Sequence, residues 1–195
     1  MLNFLLFLYN FLSTANNLFY MNNSVEKVEK FNRFGFKNEL RNHLNSRDCV
    51  FLCIGSDKVT GDCLGPLTGH LLKNILNINA YVYGTLDMPI NALNFSTVKK
   101  FIQNKHKKSK IITIDACLGS ADDIGKIRVI NKPIAAGSAF NKNLEPFGDA
   151  SILATVNCGT KNDNFSLFST PLWLVYKLAN LIAMTISELL NQKPI

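Results

Sequence analysis

Short, unbroken apolar runs alternate along the chain with longer segments in which apolar residues recur every three or four positions. "CVFLCIG" (49–55) and "KIITIDA" (110–116) are of the first kind, the mark of strands buried on both faces of a parallel sheet. "NAYVYGTL" (79–86), "GKIRVIN" (125–131) and "ASILATVNC" (150–158) extend the series. Helical periodicity marks "PLTGHLLKNIL" (66–76), with Pro66 suited to a first turn, and "NFSTVKKFIQNK" (94–105). The last apolar segment, "TPLWLVYKLANLIAMTISELL" (170–190), opens with Thr170 as a cap and Pro171 behind it. Lys177, Asn180 and Glu188 interrupt it, so it reads as a helix covering the sheet rather than a membrane span. Strands alternating with helices predict a three-layer α/β/α domain with a mostly parallel sheet and right-handed crossovers.

That domain takes residues 49–195. Residues 22–48 are polar with weak helical periodicity and predict one or two surface helices leading into it. Residues 1–21 stand apart as an apolar segment. No Lys or Arg precedes its run, as a secretory signal would require, so it reads as an upstream start ahead of Met21, an apolar helix, or an anchor. The five cysteines are odd in number and form no C-x-x-C pair, which argues against a disulfide framework or structural zinc and for a reducing cytoplasm. A net charge of +7 is modest for a chain with 18% charged residues and does not name a partner.

Chemistry enters through two loops. In an open α/β sheet, function collects where the loops after neighbouring strands diverge, and a strand order beginning 2-1-3 places the loops after 49–55 and 110–116 side by side. The first loop, "SDKVTGDCLGP", carries Asp57 and Asp62; the second begins at Asp115. A phosphate cradle needs Lys and Ser or Thr after its last glycine, whereas Asp62 and Cys63 stand there, so nucleotide binding is disfavoured. Two carboxylates in one crevice suit peptide hydrolysis: one activates the attacking water and the other protonates the leaving amine. The loop glycines, Gly61 and Gly65, would let a substrate backbone approach, and the dipole of the helix opened by Pro66 favours a charged Asp62. Asp57 and Asn91 are further candidates for binding substrate, although a capping or turn role is the simpler reading of Asp57.

Other candidates are weaker. His70 falls on the helix after Pro66 and reads as a satisfied or surface histidine, leaving no third ligand for a metal; a cation held by Asp62 and Asp115 alone remains open. Cys63 and Cys117 adjoin the aspartates, but no histidine adjoins them, so they read as packed thiols. The run "KHKKSK" (105–110) has no aromatic residue among its lysines and reads as a solvated turn, with no nucleic-acid partner expected.

The blocks "GSDKVTGDCLGP", "GTLDMPINALN", "IDACLGS" and "NKNLEPFGDASI" to "VNCG" resemble, in order, those of the YyaC-like sporulation proteins, relatives of the spore germination protease. The likeness runs from about residue 50 to residue 190. It implies the germination protease fold and an aspartate-dependent endopeptidase in the cytoplasm of a spore-forming bacterium, with Asp62 and Asp115 as the catalytic pair and small acid-soluble spore proteins as a substrate class. The more distant hydrogenase maturation proteases place acidic metal ligands in the corresponding loops, which implies a metal-dependent alternative. Asn91 departs from the pattern, where relatives usually carry His, and this weakens a metal-assisted mechanism. A non-catalytic peptide- or protein-binding module is the alternative from another class. Membrane contact is expected only through residues 1–20.

Overall fold

The computed structural model describes residues 35–44, 48–134, 145–159 and 164–192. The expectations for residues 1–21 lie outside the described residues, as does most of the loop between Lys132 and Asp149.

Among the described residues five strands form one sheet: β1 (Cys49–Cys53), β2 (Tyr81–Tyr83), β3 (Lys110–Gly119), β4 (Ile127–Ile130) and β5 (Ala150–Cys158). Their spatial order is β2-β1-β3-β5-β4, with β4 alone antiparallel. The order thus begins 2-1-3, the condition under which β1 and β3 are neighbours, and Cys53 pairs with Ile114 across their seam. Helix α1 covers 35–41, α2 Leu64–His70, α3 Phe95–Lys105, α4 Asn164–Phe168 and α5 Leu172–Asn191.

Alternation along the strands sorts the core into two layers. Cys49, Phe51 and Cys53 of β1, with Ile112, Ile114 and Ala116 of β3, pack with Leu64 of α2 and the inner stripe of α5. Val50, Leu52 and Ile54 face the other way, onto Phe95 and Ile102 of α3. The architecture is the expected three-layer α/β/α. The lead-in differs from a surface helix: Phe36 and Leu40 of α1 are buried in the first layer, and Lys37 bonds Glu188 of α5 at 2.8 Å. Apolar residues four apart on α1 make that face a core face.

Helix α5 is long and apolar enough to cross a membrane, and half of its most apolar window is buried in the domain. Leu174, Val175, Leu178, Ala179, Ile182, Ala183 and Ile186 form that buried stripe. Thr170 does not cap it. Pro171 occupies the N-cap position, and the buried Thr170 hydroxyl instead donates to Ser166 O at 2.8 Å, tying α4 to the start of α5. Strand β2 is shorter than the apolar pattern suggests because Gly84 turns out of it at φ +90°.

Helix α2 approaches the sheet unusually closely. A Cβ on Gly65 would lie 2.1 Å from Ile54 O, and one on Gly69 would lie 1.9 Å from Gly84 O, so only glycine lets the helix rest on the strand backbone. Past His70 the helix widens into a π turn, Leu71–Ile75, and stops at Asn77, which adopts φ +44°.

Candidate functional site

The first loop is built on the end of β1. Ile54 N–H still bonds Ile114 O at 2.8 Å, and Gly55 N–H bonds Ile90 O at 2.8 Å. Gly55 then turns at φ +145°, where an added Cβ would stand 1.9 Å from Asp62 O. The loop thus folds back on itself: Ser56 N–H bonds Asp62 O at 3.2 Å, and Lys58 N–H bonds Ser56 Oγ at 3.2 Å. A 3-10 turn, Gly61–Cys63, runs straight into α2 and lies against β3.

Asp62 sits in that turn, only 7% exposed. Burial pushes its carboxyl up to about 6, and the nearby Ser56 N–H opposes part of the rise. The sequence-based expectation that a helix dipole keeps Asp62 charged is corrected in sign: burial outweighs it. Nor is a like charge the leading cause, as a shared-proton pair would require.

Asp115 lies on the central strand β3, paired with Leu153 and 5% exposed. Its Oδ1 accepts the Ala116 N–H at 2.9 Å. Because Ile112, Ile114 and Ala116 face α5, alternation turns Thr113, Asp115 and Cys117 to the opposite face. There Thr113 Oγ1 bonds Ser151 Oγ at 2.8 Å, Cys117 Sγ meets Thr155 Oγ1 at 3.4 Å, and Arg128 of β4 donates to Cys117 Sγ at 3.7 Å. Asp115 therefore belongs to a polar file crossing β3, β5 and β4. The period-two spacing of Thr113, Asp115 and Cys117, and of Ser151 and Thr155, carried this signal in the sequence, and only Asp115 was read from it.

Asp62 thus lies in the turn after β1, whereas Asp115 lies within β3, one residue beyond the Cys53–Ile114 pair; the expectation that a loop begins at Asp115 is corrected, because pairing with β5 carries β3 on to Gly119. Large apolar side chains are exposed between β2 and α3, Met88 (71%) and Leu93 (89%), and on the helices after β5, Phe165 (77%) of α4 and Leu172 (62%) of α5.

Residues 21–185 match the family described as a protein of unknown function (DUF1256). The chain belongs to this family. It is 38% identical over 138 residues to "Uncharacterized protein YyaC" of Bacillus subtilis (strain 168), covering 71% of this chain and 67% of that one. Its fold is similar to that of the [NiFe] hydrogenase maturation protease HycI from Thermococcus kodakarensis KOD1, with TM-score 0.54 and 18% identity over 78% of this chain and 99% of that one.

The remaining sequence candidates fare differently in this DUF1256 member. Asp57 is exposed on the same loop. Asn91 sits where the β2–α3 segment meets β1, but its Oδ1 accepts the Leu93 N–H at 3.0 Å, an Asx turn that starts α3. Gly61 is corrected outright: a Cβ there would meet Leu167 Cδ2 and Thr170 Oγ1 at 2.8 Å each. Packing against the α4–α5 corner, not substrate approach, requires that glycine, and Gly65 is closed by Ile54 in the same way. His70 accepts from or donates to Asn74 at 3.0 Å and stands 3.9 Å from the exposed Asp87. Among the described residues no three His, Cys, Asp or Glu side chains gather to hold a metal ion. The donor set of two aspartates falls short of a protein-held metal centre. Burial, then Asp57 and Asp62, pushes the Cys63 thiol up, away from a nucleophilic thiolate.

Proposed function

We propose that this chain is a cytoplasmic, sporulation-associated peptidase of the germination protease type, with Asp62 and Asp115 as its acid–base pair. The observation that carries the reading is a buried carboxyl titrating at about 6, Asp62, at the end of β1 beside the strand that bears Asp115. A group poised near neutral pH exchanges protons readily with water and with a leaving amine. One carboxylate takes a proton from water as its oxygen bonds to the scissile carbonyl carbon. The other gives a proton to the amide nitrogen as the C–N bond breaks. The apolar side chains of Met88, Leu93, Phe165 and Leu172 suit an extended, unfolded polypeptide, and small acid-soluble spore proteins are the substrate class the resemblance implies. The protease fold of HycI supports the reading at the level of fold alone.

The test is cleavage of unfolded spore-type polypeptides by the purified chain, followed by mass spectrometry. Wild type cuts, Asp62→Asn and Asp115→Asn each lower the rate at least about a hundredfold, and a chelator leaves it unchanged. Loss of cleavage on chelation would favour the metal-dependent maturation peptidase instead. A second reading rests on the enclosure of both carboxylates, 7% and 5% exposed: a non-catalytic module that binds peptides with the same rim. Peptide binding without any cleavage by wild type decides for it.

A further inference from the structure

The amino end of the sheet, opposite the aspartates, carries an assembly that the linear sequence hides. The run Lys105–Lys110 leaves α3 and enters β3, with Lys105, Lys107 and Lys108 exposed and Lys110 half-buried. Lys105 complements the C-terminal end of α3, but the other lysines lie beyond the helix and are not needed for that. His106 in the middle of the run points inward and is 7% exposed. Its Nε2 bonds the Tyr83 hydroxyl at 2.8 Å, and its ring lies 4.4 Å from that of Tyr81. Tyr83 in turn meets Phe101 edge-on at 5.8 Å. The outer members of this cluster remain uncovered, Tyr81 at 51% and Phe101 at 47%, and the Lys105 ammonium stands 5.4 Å from the Phe101 ring centre. The imidazole therefore anchors two aromatic rings beside a basic loop. Among the described residues the carboxylates in this region include Asp48, next to His106, Asp149, whose Oδ2 is occupied by the Ile111 N–H at 2.8 Å, and Glu39, which acts on His43 as Lys110 does, with the opposite sign.

We propose that this end of the molecule binds single-stranded nucleic acid, with bases stacked on Tyr81 and Phe101 and phosphates on Lys105, Lys107, Lys108 and Lys110. Uncovered rings interleaved with cations are what such strands require: every base offers a face to stack, and every phosphate a charge to neutralise. An acidic protein or an anionic membrane would use the lysines but has no need of two held rings. The surface is separate from the aspartates, so it stands whether or not the chain is a peptidase.

The experiment is fluorescence anisotropy of a labelled oligothymidylate with the full chain, beside heparin and phosphatidylserine vesicles, across a salt series. The oligonucleotide binds with a log–log salt slope of about −3, as expected for about four phosphate contacts on a single strand. Combined K105E, K107E and K108E abolishes binding. Combined Tyr81→Ala and Phe101→Ala weakens the oligonucleotide at least about tenfold and leaves heparin unchanged. The proposal is overturned by absence of binding at low salt, by an aromatic variant that affects neither ligand, or by vesicles bound in preference to the oligonucleotide.

Discussion

At the carboxyl end of the sheet Asp57, Asp62, Asp87, Asp122 and Asp123 outnumber Lys58 and Lys126, while at the amino end Lys105, Lys107, Lys108 and Lys110 outnumber Asp48 and Asp149. The chain's net charge of +7 conceals this division, because it averages two surfaces facing opposite ways. The two ends also treat their titratable groups differently. At the carboxyl end a carboxyl is buried at a cost and lifted to about 6; at the amino end a histidine is buried and used as an aromatic anchor, its lysines left in water. Burial holds His106 below its ordinary value, so the imidazole stays neutral and bonds Tyr83. A desolvated carboxyl poised near neutral pH is what a reacting group needs, whereas solvated cations beside exposed rings suit reversible binding.

The largest expected effect removes the first end's chemistry: Asp115→Asn lowers peptide cleavage at least about a hundredfold while leaving oligonucleotide binding as it was, measured on the same preparation. Equal loss of both activities would mean that the two ends are one site. Next comes Gly65→Ala. Its methyl would press against the Ile54 backbone, which cannot yield locally, and the expected cost is about 3 kcal/mol or more in urea-induced unfolding.

Asp62→Asn has the opposite sign. The folded state raises the Asp62 carboxyl to about 6, so it binds that proton more tightly than the unfolded chain does. Stability is therefore undiminished below about pH 4, falls as pH rises to about 6, and stays lowered above that, by up to about 3 kcal/mol. Asparagine removes the charge, so the variant is more stable than wild type at pH 7 and no different at pH 4. Unfolding midpoints at the two pH values check this, and equal effects at both would mean that Asp62 is an ordinary turn residue. At the other end Tyr83→Phe deletes the bond to His106 and costs about 1 kcal/mol, read by the same unfolding measurement. Smallest is Lys37→Ala: the partly exposed pair with Glu188 contributes about 0.5 kcal/mol and weakens in salt.

Much of the architecture was legible in advance. Unbroken apolar runs at β1 and β3 require cover on both faces, which forces a parallel sheet between helix layers, and the period of α5 matches its buried stripe. Phe36 and Leu40 went unread because one short amphipathic turn in a polar segment gives little periodic signal. Gly61 was misread for a different reason: a glycine in a loop suggests open space, but its neighbours, Leu167 and Thr170, arrive from the far end of the chain. The lysine run itself holds no aromatic residue; Tyr81 reaches it from β2, and Phe101, one helix turn before Lys105, shares its face of α3.

From residue order alone came the fold class and the strands that carry Asp62 and Asp115, because local periodicity is a property of the chain itself; that these strands are neighbours was decided by the sheet. Burial was decided only by the assembled molecule. Whether a carboxyl titrates near 6, whether a glycine faces a methyl group or a void, and whether a lysine has a ring beside it all depend on atoms brought together from distant parts of the sequence, and desolvation and close contact act through space rather than along the backbone.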